Sequence, residues 1–358
     1  MTSSDVVAAG PAVSADRVVF RVADPGHQHA DVRLVQDVRV PGDRLGFTRI
    51  PTGWELSVRR PAVWRMEYRL RLDGGSGDST EVCDPANPLR APGAFGDKSV
   101  IEFPDYVPPA WLGAPGVPGT TTELRVPSRF LGDSVYVRIW SPGEVAPEDP
   151  LPLLVAHDGP EYDKLSSLTA YSAAMIAAGT LPAHRVALLG PGHRDEWYSA
   201  NVAYARALVL AVLPAVRRAV GVAGPVAAMG ASLGGLAALH AARRHPGTFG
   251  GLFLQSGSFF TRRLDPGERA FSRYTRITRF VGDTRRGVTA ADPVPVTLTC
   301  GGLEENLANN RQMATALREQ GYPVELVELP DVHNYTAWRD ALAPHLTDLL
   351  HRTWTAPG

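Results

Sequence analysis

Residues 226–243 constrain this chain more than any other stretch. An apolar run, Val226-Ala227-Ala228-Met229, leads into Gly230-Ala231-Ser232-Leu233-Gly234-Gly235, and a helix-like run over 236–243 follows. Strand, sharp turn and helix in that order make Gly-x-Ser-x-Gly a nucleophile elbow. Gly230 and Gly234 leave room for a strained turn that a Cβ would crowd. The turn lifts the Ser232 hydroxyl clear of the sheet edge. The Leu233 N–H, opening the helix, then faces the oxyanion that develops on an attacked carbonyl. Gly-x-Ser-x-Gly is a common pattern and also fits a plain turn before a helix. The flanking runs, the third glycine and suitable partners downstream favour the catalytic reading.

Around the elbow, strands alternate with helices. Strands are expected at 121–126, 134–141, Leu151–Ala156, Arg185–Leu189, Phe249–Gln255, 294–300 and 324–328. Helices are expected at 166–178, 201–220, 306–320 and 336–352, with Pro214 a candidate kink and Gly321 a closing residue. The first two strands read as an antiparallel pair at a sheet edge. This is the element order of an α/β hydrolase, a mostly parallel sheet with helices on both faces. The first hundred residues read as all-β, with strands at 17–22, 30–35, 54–58 and 66–72 and turns at 73–78 and 84–88. Short, closely spaced strands suggest an immunoglobulin-like β-sandwich. Its aromatics Trp54, Trp64 and Tyr68 fit packing better than ligand binding. The proline- and glycine-rich stretch 104–119 reads as a linker. The expected organisation is a sandwich domain over 1–112 and an α/β-hydrolase catalytic domain over 113–358.

A chain of 358 residues has room for both. At 44% hydrophobic and 20% charged residues it fits a soluble globular protein. A formal net charge of −1 gives no case for a nucleic acid or anionic membrane partner. Cys83 and Cys300 are far apart and read as reduced; no metal-ligand spacing is present and no cofactor is expected. The start, Met1-Thr2-Ser3-Ser4-Asp5, lacks the features of a signal peptide, and no run has membrane-spanning length. A cytoplasmic protein is the expectation.

Serine needs a base to take its proton. His333, in the loop Leu329-Pro330-Asp331-Val332-His333-Asn334-Tyr335 after the last strand, is in the right place. His240 and His245 lie on or at the end of the elbow helix, and His345 and His351 on the last helix. The carboxylate that orients the imidazole should fall between serine and histidine in the chain. Glu304 in Gly301-Gly302-Leu303-Glu304-Glu305 is the first choice and Glu305 the second, although a carboxylate there also suits a helix N-terminus. Asp331 reads as shaping the loop of His333. The second oxyanion donor should come from His157-Asp158-Gly159-Pro160-Glu161-Tyr162. Pro160 has no N–H, which leaves Gly159 or Glu161. His157 reads as shaping the pocket.

Two stretches are candidates for holding a substrate. In Gly192–Asn201, Arg194 suits an anionic or catecholate oxygen, with Trp197 beside it; an Arg194–Glu196 pair that pins the loop is the alternative. Residues 257–287 carry eight arginines against three acids, together with Phe259, Phe260, Phe271, Tyr274 and Phe280. That composition suits an aromatic, anionic ligand, and equally an amphipathic helix with a solvated basic face.

The chain resembles the enterochelin (enterobactin) esterase family of siderophore hydrolases. The resemblance rests on Gly230–Gly235, on Leu254-Gln255-Ser256-Gly257-Ser258-Phe259-Phe260, on Glu304 followed by Asn309-Asn310-Arg311-Gln312, and on His333 followed by Trp338-Arg339. In the first half, Val19-Phe20-Arg21-Val22-Ala23-Asp24-Pro25, Asp84-Pro85-Ala86-Asn87-Pro88, Ser99-Val100 and the stretch ending at Trp111 resemble that family's amino-terminal sandwich. The resemblance implies hydrolysis of a catecholate trilactone ester in the cytoplasm, for intracellular iron release, with iron arriving as part of a ferric siderophore substrate. It implies Ser232 as nucleophile, His333 as base and Glu304 as acid. His333 is followed here by Asn334-Tyr335-Thr336, where family members often carry Asp or Glu and small residues. An acyltransferase or general carboxylesterase would use the same acyl-enzyme, and a non-catalytic binding protein would show a degenerate triad.

Overall fold

The computed structural model describes residues 10–38, 45–75, 77–287 and 293–354. Residues 1–5, from which no signal peptide is expected, and Ser76 of the 73–78 turn lie outside the described residues. The chain forms two compact units. One is Met1–Val107 with Gly302–Glu304 and Pro330–Thr336; the other is Pro108–Gly301 with Glu305–Leu329 and Ala337–Gly358.

In the first unit, two antiparallel sheets pack over one core. One has the order Ala12–Val13, Arg17–Ala23, Gly53–Arg59, Thr48–Ile50; the other has the order His29–Gln36, Arg65–Gly74, Lys98–Glu102, Arg90–Ala91, with Ser79–Val82 also paired to Arg65–Gly74. Alternation along the strands drives this arrangement. Val18, Phe20 and Val22 point inward from one sheet, and Val32, Leu34, Tyr68 and Leu70 from the other. Trp54 and Tyr68 are core residues whose polar tips are satisfied: Trp54 Nε1 donates to Asp24 at 3.1 Å and the Tyr68 hydroxyl to Asp84 at 2.7 Å. Val332 belongs to this core and Leu303 packs against it.

The second unit holds an eight-stranded sheet: β1 (Gly119–Ser128), β2 (Asp133–Pro142), β3 (Leu151–Ala156), β4 (Arg185–Leu189), β5 (Val222–Ala231), β6 (Phe249–Gln255), β7 (Val296–Gly301) and β8 (Val324–Leu329). Their order is β1-β2-β4-β3-β5-β6-β7-β8. The β1–β2 and β2–β4 pairs are antiparallel, and every later pair is parallel. All five residues of β4 are buried, as expected of a strand covered on both faces. The strand direction reverses its sideways progression around β3 and β5, which puts the loops after these strands at a topological switch point.

Two expected helices are subdivided, and a third is preceded by a helix not expected from the sequence. The one expected at 166–178 is the helix Leu168–Ala177; a further helix, Gly159–Ser166, precedes it, and Ser167 with φ 54° separates the two. The one expected at 201–220 starts after Asn201, whose side chain accepts from the N–H groups of Ala203 and Tyr204. It passes through a π-helical segment, Leu208–Val212, before Leu213–Ala219. Pro214 offers no N–H to a regular ladder there. The last helix breaks at Ala343, which leaves the helical region (φ −113°, ψ 128°) as residues before proline tend to do. Among the described residues, no helix is long and apolar enough to cross a membrane.

Candidate active site

β5 delivers the chain to Ser232, which has φ 55° and ψ −123°. A residue with a Cβ visits this region only at a cost of about 1–3 kcal/mol, and neighbouring bonds hold it there. The Ser232 N–H donates to the Gln255 carbonyl at the end of β6 (2.9 Å), and the Ser232 carbonyl accepts from Leu236 (3.2 Å) and Ser258 (3.1 Å). A Cβ on Gly230 would lie 2.4 Å from the carbonyl carbon of Gly234, so only glycine lets the helix Leu233–Arg244 approach the strand this closely. The Ser232 hydroxyl lies 3.1 Å from that of Ser258.

The loop after β3 lies beside the elbow: a Cβ on Gly234 would meet Cβ of His157 at 3.1 Å and a carboxylate oxygen of Asp158 at 3.3 Å. Asp158 takes a left-handed conformation (φ 52°) and precedes the helix Gly159–Ser166. Its N–H donates to the Tyr198 hydroxyl at 3.2 Å. Arg194 grips its carboxylate with two bonds of 2.8 Å, from Nε and Nη2. Gly159, the first helical residue, has an N–H with no acceptor inside its helix; the Leu233 N–H stands in the same position in the elbow helix. There is no space for a side chain at Gly159, where a Cβ would lie 2.3 Å from Cα of Leu188. His157 is fully buried, with Nδ1 3.0 Å from the Met229 carbonyl and its ring edge-on to Tyr198 and Tyr204. Burial pushes its pKa down to about 4. The neutral ring therefore donates from Nδ1, and Nε2 has no partner among the described residues.

The loops after β7 and β8 carry the other polar pair. Nδ1 of His333 lies 3.0 Å from Oε2 of Glu304. The Glu304 side chain is 1% exposed and that of His333 37%. An imidazole that donates from Nδ1 to a carboxylate presents Nε2 as its proton acceptor. Of the two candidate carboxylates, Glu304 is the one on the imidazole; Glu305 is exposed. His240 is buried on the elbow helix, edge-on to Phe280, and burial pushes its pKa to about 3.

The side chains expected to hold a substrate are placed differently. Trp197 is 4% exposed, stacked on Tyr204, and Phe259 is fully buried; both belong to the core of the second unit. This corrects the expectation that their rings meet a ligand. After β6 the chain turns inward at Ser256 (φ 47°), and Gly257 has no Cβ to keep the Phe259 ring away. Arg194 pairs with Asp158 rather than with Glu196. Glu196 instead takes Arg273 and Arg276, the latter at 2.7 Å. Within 257–287, Tyr274–Arg285 is an amphipathic helix that buries Tyr274, Ile277 and Val281, while Arg262, Arg263, Arg269 and Arg279 are exposed.

Sequence reasoning quoted Ser258 and Asp158 without giving either a contact at the site, and gave none to Tyr198. Ser258 stands in the distinctive run after β6 and was legible as part of it. Asp158 and Tyr198 carried no signal, because their roles arise from a left-handed turn and a contact 40 residues away.

The chain matches the model of the Esterase family, described as "Putative esterase", over residues 128–349. No curated protein matches it. Among solved structures, the enterobactin esterase of Shigella flexneri, in the presence of enterobactin, is similar with a TM-score of 0.76 at 21% identity, over 95% of this chain and 96% of that one. The ferric enterobactin esterase of Salmonella typhimurium gives 0.74 at 22% identity, over 96% of each chain. A ferulic acid esterase gives 0.54 at 18% identity, over 65% of this chain and 98% of that one. At such identities the likeness is one of fold.

Proposed function

The chain belongs to the esterase family whose model it matches, and from that premise we propose that it is a serine ester hydrolase working through an acyl-enzyme. The observation that carries this reading is Ser232 at positive φ, at the start of a helix, with a second helix start at Gly159 beside it. Ser232 attacks the ester carbonyl while Nε2 of His333 takes its proton. Glu304 orients the ring and stabilises the imidazolium. The N–H groups of Leu233 and Gly159 receive the oxyanion. His333 then protonates the leaving alkoxide, and water repeats the sequence on the acyl-enzyme.

The substrate class in this reading is a catecholate trilactone of the enterobactin type, free or ferric, hydrolysed in the cytoplasm to release iron. The likeness in fold to enterobactin esterases over nearly the whole chain supports it, as do the exposed arginines of 257–287, which suit anionic catecholates. The Shigella flexneri enzyme has also been crystallised in the presence of 2,3-dihydroxy-N-benzoyl-serine, a catechol amide of serine. In this reading the accessory domain is an immunoglobulin-like sandwich within 1–112 and the catalytic domain lies within 113–358, although 302–304 and 330–336 group with the first compact unit and 108–112 with the second. A hydrolysis screen tests the reading: catecholate trilactones, free and ferric, against aryl esters and peptides. Preferential cleavage of the trilactones supports it. Cleavage of aryl esters alone removes the siderophore, and cleavage of nothing removes the hydrolase.

A further inference from the structure

The loop that carries His333 is tied down by three kinds of contact, all within the compact unit of the two antiparallel sheets. The first is between backbones: the Trp64 N–H donates to the Pro330 carbonyl at 2.7 Å. The second is apolar. Val332, next to His333, is 2% exposed in the core that contains Phe20 and Tyr68, and Leu303, next to Glu304, packs against that core. The third is polar. Asp331 is 1% exposed, and its Oδ1 accepts from the Val332 N–H at 2.8 Å and from Nδ2 of Asn334 at 3.0 Å. The Asn334 N–H donates to the Val332 carbonyl at 3.0 Å, so His333 is the central residue of a three-residue turn closed on both sides.

Charged groups of the sheet surround this turn. Arg65 and Glu67, both buried on the strand Arg65–Gly74, act on Asp331 with opposite sign. Arg65 lies 3.5 Å from Glu67 and 3.8 Å from Glu102; Lys98 lies 3.9 Å from Glu67 and 2.7 Å from Asp37. Burial pushes the Asp331 carboxyl up to about 7, and its two hydrogen bonds work against that. Both bonds need only an acceptor, so an amide in its place would keep them.

We propose that Asp331 is a positioning residue, through which the β-sheet unit sets the orientation of the His333–Glu304 pair. The inference rests on the reading of His333 as the base. Its physical basis is that catalytic groups on loops need fixed surroundings, and a displacement of about 1 Å costs about 100-fold in rate.

The test compares Asp331→Ala and Asp331→Asn in the full chain. It measures kcat and KM on a neutral aryl ester and the downfield proton resonance of the His333 Nδ1–H donated to Glu304. Asp331→Ala is expected to lower kcat about 10- to 100-fold at unchanged KM and to weaken the resonance. Asp331→Asn is expected to keep both close to the parent. A parent-like Asp331→Ala, or an Asp331→Asn as damaged as Asp331→Ala, would overturn the proposal. If Asp331→Ala does not fold, Asn334→Ala removes one of the two bonds to Oδ1 and carries the same comparison. The resonance needs no substrate: if the parent cleaves no ester, the hydrolase reading fails while the resonance still decides whether Asp331 positions the pair.

Discussion

In the proposed mechanism the chemistry turns on Ser232. Ser232→Ala is expected to lower kcat about 10⁴- to 10⁶-fold with an unchanged unfolding transition. Steady-state kinetics beside a thermal melt check this. Arg194 gives a second prediction at this scale, because its guanidinium is engaged on Asp158. Arg194→Met is expected to release the left-handed Asp158 and lower kcat about 10-fold for neutral and anionic esters alike, at unchanged KM. A rise in KM confined to anionic esters would instead make Arg194 a substrate contact. Ser232, Glu304 and His333 were proposed from sequence because each follows a strand of a recognisable order, and the contact between His333 and Glu304 is the part of that proposal with a distance behind it. The partner of Arg194 was not, since Glu196 was the only carboxylate weighed and Asp158, 36 residues earlier in the chain, meets Arg194 only through the fold of the 157–159 loop. Phe259 and Trp197 misled because an aromatic beside a polar loop reads the same whether its ring turns out or in.

At the scale of elements, the elbow depends on the separation between β5 and the helix that follows. Gly230→Ala would place a methyl group 2.4 Å from the Gly234 carbonyl carbon. It is expected to cost about 1–3 kcal/mol of stability and to lower activity beyond what the stability loss explains. Urea unfolding and kcat on one ester check both. Strands were read well from sequence: Leu151–Ala156, Arg185–Leu189 and Phe249–Gln255 have the bounds their apolar runs imply. Helix interruptions were read less well. Ser167 adopts a left-handed conformation without a glycine to announce it, and the π-helical turn before Pro214 keeps the apolar periodicity of a continuous helix.

For the whole molecule, the segments 302–304 and 330–336, which carry Glu304 and His333, group with the two antiparallel sheets although they lie about 200 residues further along the chain, a long-range arrangement that local patterns do not encode. Buried histidines should govern the response of the fold to acid. Burial holds His157 and His184 at about 4 and His240 at about 3, below the ordinary value of 6.5. Groups with lowered values in the fold contribute stability above pH 6.5 that is lost as pH falls through those values. The urea midpoint is therefore expected to fall between pH 6.5 and 4. Asp331, raised to about 7, acts in the opposite direction: its contribution is complete below 3.8 and lost as pH rises through 7. Asp331→Asn should consequently gain stability relative to the parent between pH 5 and 8. The central claim, that Ser232 is a nucleophile activated by His333, is tested most directly by fluorophosphonate labelling followed by mass spectrometry of the peptides. The account predicts one adduct, on Ser232, formed at least about 10³-fold more slowly in His333→Ala. No adduct, an adduct on another residue, or parent-like labelling of His333→Ala would contradict it.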